Sequence, residues 1–123
     1  MPIQKIVPAG LVRWASGFST QQAANSDSAV SVTLNVPQGR KYTVFQVITD
    51  QTSASIDLLC KHIGGGGSVV VVDRPASTLE TNEKGVIIEE PLNAGDAFTA
   101  GIRNRTGAGV TPVISVGYID SGA

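Results

Sequence analysis

The chain has 123 residues, with nine Lys and Arg against ten Asp and Glu, one Cys and one His. It carries 15 Val, 10 Ile and 10 Thr against six Leu and three Phe, and β-branched side chains, stiff at χ1, suit strands better than helices. These counts exclude an internal disulfide framework and the basic footprint of a nucleic-acid binder. They also exclude a disordered chain, and no run approaches the roughly 18 apolar residues of a membrane span.

Taken in order, residues 1–10 read as an extended arm, because Pro2 and Pro8 do not fit a helix interior. Residues 11–18 form a first strand, with Leu11, Arg13, Ala15 and Gly17 on one side and Val12, Trp14, Ser16 and Phe18 on the other. A polar loop, 19–28, follows. Residues 29–36 alternate cleanly, Val30, Val32, Leu34 and Val36 against Ala29, Ser31, Thr33 and Asn35. Pro37-Gln38-Gly39-Arg40 is a turn.

Residues 42–49 are apolar on both faces: Tyr42, Val44 and Ile48 against Phe45 and Val47. Ile56, Leu58 and Cys60 then point one way, with Asp57 and Lys61 opposite. Gly64-Gly65-Gly66-Gly67 is a loop tip before a strand at 69–72. After a polar excursion, 75–84, strands are expected at 85–89, at 97–104 and at 110–120, the last again apolar on both faces. About eight short strands without a helical period predict an all-β antiparallel sandwich, a single eight-stranded jelly roll spanning 11–123 behind the arm.

In a sandwich each strand has one inward face, so a second apolar face needs another cover: a folded-over loop or a neighbouring subunit. Charged residues are only 15% of the chain, low against the usual quarter. This too suggests surface buried against other chains. The candidate subunit-interface residues are therefore Ile3, Ile6 and Val7 of the arm, with Trp14, Tyr42, Phe45, Val47 and Tyr118. Trp14 is also a candidate for core packing beside the first strand.

No catalytic set emerges. Cys60 and His62 share a strand face but stand roughly 6–7 Å apart, too far for a direct bond. A buried thiol followed by a loop histidine is the simpler reading. The glycine run lacks the Lys-Ser/Thr of a phosphate loop. Glu89 and Glu90 are consecutive in a strand and so diverge. Arg103-Asn104-Arg105 reads as a solvated hairpin tip. Asn104-Arg105-Thr106 matches a glycosylation sequon by chance. No metal, cofactor or enzymatic activity is expected.

Several segments resemble those of single jelly-roll structural proteins of viruses, in particular small penton and decoration proteins of phage capsids. They are the proline-containing arm, the alternating strand at 29–36, the turn and strand Leu92-Asn93-Ala94-Gly95-Asp96-Ala97-Phe98, and the closing strand Val113-Ile114-Ser115-Val116-Gly117-Tyr118-Ile119. The resemblance implies a virion role on the capsid surface and synthesis in the host cytoplasm without a signal peptide. It also implies a homo-oligomer, a trimer or pentamer, that contacts a major capsid protein or other shell protein. Neither nucleic acid nor a membrane is an expected partner. The alternative is a carbohydrate- or receptor-binding sandwich at a fibre or spike tip, stacking ligands on Trp14, Tyr42 or Tyr118.

Overall fold

The computed structural model describes residues 11–18, 30–79 and 85–122. Eight strands run in chain order: β1 (Leu11–Phe18), β2 (Val30–Asn35), β3 (Tyr42–Thr49) and β4 (Ile56–Gly64). They continue with β5 (Gly67–Pro75), β6 (Val86–Leu92), β7 (Ala97–Asn104) and β8 (Val113–Asp120), and one short 3-10 turn, Ala76–Thr78, follows β5. The arm, with Ile3, Ile6 and Val7, lies outside the described residues, as does the loop at 19–28.

The pairing is nested. β1 pairs with β8, β2 with β7, β3 with β6 and β4 with β5, each antiparallel. The chain is thus one long hairpin with its tip at Gly64 and Gly67, which face each other at the end of the β4–β5 ladder. Rolling that hairpin sends alternate pairs to opposite sheets. Two further ladders, β3–β8 and β4–β7, complete the sheets β1-β8-β3-β6 and β2-β7-β4-β5. This is the jelly roll, an antiparallel β-sandwich.

The inner faces bury Val32 and Leu34 of β2, Leu58 and Cys60 of β4, Phe98 and Ile102 of β7, and Ile114 and Val116 of β8. Alternation along each strand does this directly. At one edge β1 passes so close to β2 that a Cβ on Gly17 would lie 2.2 Å from the Ser31 carbonyl oxygen. Glycine is the residue that permits this approach.

One expectation changes here. The register of β3 shifts between Val44 and Gln46, a bulge that inserts Phe45. An extra residue reverses the parity after it. Tyr42, Val44 and Val47 all turn inward and are buried, while Phe45 and Ile48 lie on the other face. The bulge therefore exchanges Val47 and Ile48 between the faces, and β3 remains apolar on both.

Candidate functional site

The outer face of the β1-β8-β3-β6 sheet carries the Trp14 and Phe45 rings. Trp14 of β1 lies opposite Gly117 of β8, and Gln46 of β3 lies opposite the same glycine. With no side chain at 117, the Trp14 ring and the bulged Phe45 lean over β8 and meet edge to face, centroids 5.5 Å apart. Such a geometry is favoured by the ring quadrupoles. Around the pair, Val12 is 59% exposed, Val113 46% and Ile87 57%, and Trp14 itself is 47% exposed. The polar positions among them are uncharged, as in Ser16 and Ser115, whose hydroxyls share a 2.7 Å hydrogen bond across the ladder. Glu89, exposed on edge strand β6, brings a charge to this face.

The candidate interface residues thus separate. Trp14 and Phe45 lie together on the outer face, and the expectation that Trp14 packs in the core is not met. Tyr42 and Val47 are buried in the core of this chain, so they have no surface to offer a neighbour. Tyr118 is turned inward, stacked against Tyr42 with centroids 4.7 Å apart. Burial is the first cause that holds its phenol above the usual range, and the Tyr42 ring beside it adds to this. Burial leaves Tyr42 no open ring face for stacking a sugar, and Tyr118 is partly buried against it. Gly117 was not singled out from the sequence, although a glycine inside an otherwise apolar strand is the signal for close approach.

A second arrangement joins the two sheets. His62 lies on β4, not in a loop. Its partners across β4's ladders are Val69 and Phe98, and Phe98 is a core residue. The imidazole therefore faces into one end of the sandwich. There Nδ1 lies 2.6 Å from Glu90 Oε2, and Nε2 lies 2.8 Å from Asp96 Oδ2. Glu90 comes from β6 of the opposite sheet, where it turns in while Glu89 turns out. Asp96 closes the 93–96 turn, and its carboxylate also accepts the Asn93 backbone N–H at 3.1 Å. Burial pulls the imidazole pKa down, but the two carboxylate hydrogen bonds outweigh it and hold the ring above its usual value. Asp96 is correspondingly held below the usual carboxylate range, chiefly by its bond to His62.

This geometry leaves neither His62 nitrogen free to take a proton from Cys60. The Cys60 thiol is buried and pushed up to about 12 by that burial, so it is not a thiolate at neutral pH. The two carboxylates sit on opposite sides of the ring and do not converge on one point. Among the described residues, no three His, Cys, Asp or Glu side chains are placed to hold a metal ion. Beside His62 a shallow cavity of about 310 Å³ is lined by Gly64, Gly66, Gly67, Ser68 and Val69.

A third arrangement lies on the outer face of the other sheet. Asp57 of β4 is buried, and its carboxylate accepts from Arg105 Nη2 at 2.7 Å, Arg105 Nε at 3.0 Å and Arg103 Nη1 at 3.1 Å. Arg103 also grips Asp73 of β5 at 2.8 Å and 3.2 Å. The Arg105 hydrogen bonds, then those of Arg103, hold the Asp57 carboxyl below its usual value against the opposing effect of burial. The expected solvated tip at 103–105 is instead a clamp. Asn104 is fully buried, and its side-chain amide donates to the Ala108 carbonyl at 2.9 Å. The clamp pairs its two guanidinium groups with two carboxylates. No family model matches the sequence, and no curated protein matches it.

Proposed function

We propose that this chain is a non-enzymatic structural subunit of a virion, a capsid vertex or decoration protein that assembles as a symmetric oligomer. The observation that carries the reading is the outer face around Trp14 and Phe45. It holds two aromatic rings and exposed Val12, Ile87 and Val113, in a protein whose core is already filled by other residues. Contiguous exposed apolar surface rimmed by polar residues marks an interaction site. Exposed tryptophans are the residues on which association energy concentrates. Burying the face would supply roughly 25 cal/mol per Å² of apolar area, less the ordering cost of association. The jelly roll supports the virion part of the reading by analogy of fold, which is weaker than the argument from the face.

The test is sedimentation velocity and native mass measurement of the purified chain at micromolar concentration. A closed oligomer is expected, with Trp14→Ser shifting it to monomer while its circular dichroism stays native. A chain that remains monomeric at tens of micromolar and binds no capsid overturns the proposal. One observation favours a second reading: of the three expected stacking residues Trp14 is exposed, while Tyr118 is partly buried and Tyr42 buried. A glycan array in which Trp14→Ser abolishes a signal would replace a shell role with carbohydrate recognition.

A further inference from the structure

We propose that His62 is a titratable clasp: doubly protonated, it ties β4 to β6 and to the 93–96 turn, and losing its proton loosens that end of the sandwich. This inference is independent of the assembly reading. It rests on geometry. Both ring nitrogens face carboxylate oxygens, at 2.6 Å and 2.8 Å. An imidazolium donates from both nitrogens, whereas a neutral imidazole donates from one and presents a lone pair at the other. Neutral His62 would therefore point that lone pair at a carboxylate, and one of the two links would be lost.

The links are not redundant with the sheets. Glu90 belongs to the β1-β8-β3-β6 sheet and His62 to the other. No backbone ladder joins β4 to β6. Asp96 belongs to the turn through which the chain crosses between the sheets. That turn is itself tied to the residue that follows β2: the Val36 N–H donates to the Asp96 carbonyl and the Gly95 N–H to the Val36 carbonyl, each at 3.0 Å. Beyond His62, β4 runs straight to the glycine tip, where Gly65 and Gly66 touch nothing at their Cβ positions. The clasp is thus the last side-chain anchor before a tip with little of its own to hold it.

The groups around the ring leave the two carboxylates in control. On its own strand, Cys60 shares the inward face as a neutral thiol, while Lys61 takes the opposite face. Across the ladders β5 presents Val69 and β7 presents Phe98. Among the described residues, the charges that act on the ring are those of Glu90 and Asp96. Because the folded pKa is raised, the clasp's contribution is complete below the ordinary value of 6.5 and is lost as pH rises through the folded value. At the acid end it fails as Asp96 protonates below 3.8. The clasp therefore opens on the alkaline side, and it holds through mildly acidic conditions.

The chain has a single histidine, so its imidazole C2 proton gives one resonance to follow by NMR. A midpoint above 6.5 is expected, with Glu90→Gln and Asp96→Asn each lowering it. Hydrogen exchange over residues 62–70, corrected for the intrinsic rise of exchange with pH, should lose protection through the wild-type midpoint. In His62→Gln protection should be lower and flat with pH. Should that variant not fold, Glu90→Gln, which keeps the side-chain shape, supplies the comparison. A wild-type midpoint at or below 6.5, a midpoint unmoved by both carboxylate variants, or protection flat through the wild-type midpoint overturns the proposal.

Discussion

Trp14 lies across the β1–β8 ladder from Gly117, and a Cβ at 117 would stand 2.8 Å from its Cη2 and 2.7 Å from Phe45 Cζ. Both atoms are far ends of side chains, so Gly117→Ala is accommodated by moving the rings and not the backbone. The expected result is a folded protein whose single tryptophan changes its fluorescence and, under the assembly proposed above, whose association weakens at least tenfold. Unchanged fluorescence would mean that the rings do not rest on Gly117.

Gly85 gives the contrasting case. Its φ is +141°, and a Cβ would lie 2.0 Å from the Val47 carbonyl oxygen and 2.9 Å from Ile48 Cα. Here the obstacle is backbone, and the conformation itself disfavours other residues. Gly85→Ala should cost roughly 2–4 kcal/mol in urea denaturation, several times the effect of Gly65→Ala at the open tip.

Asp57 sets an acid-side dependence. Its carboxyl is held down by Arg105 and Arg103, so its contribution is complete above 3.8 and is lost as pH falls through the lower folded value. Asp57→Asn should lower the urea midpoint at pH 7. It should also flatten the loss of stability between pH 4 and the acid-unfolded state. A variant as acid-sensitive as the wild type would place the dependence elsewhere.

Cys60 is expected to be inert in the folded protein. With the thiol buried and raised to about 12, a disulfide reagent at pH 8 should label it only through unfolding. The labelling rate should rise with urea in step with the unfolded fraction. Immediate labelling without denaturant would contradict the burial.

The sequence by itself determined the strands and most of the core. Alternation at 29–36 and 97–104 is a local property of a pleated chain, so Val32, Leu34, Phe98 and Ile102 could be placed inward without any partner in view. The glycine run was legible as a loop tip because glycines punctuate chain reversals, although its outer members end β4 and begin β5. Tertiary structure alone decided what depends on register and on distant residues. The β3 bulge is invisible in composition, yet it turns Val47 into the core and Phe45 out beside Trp14. The partners of His62 lie 28 and 34 residues away, and those of Asp57 lie 46 and 48 away. No local pattern encodes such pairs, because they meet only when the long hairpin rolls and brings β6, β7 and the 93–96 turn against β4.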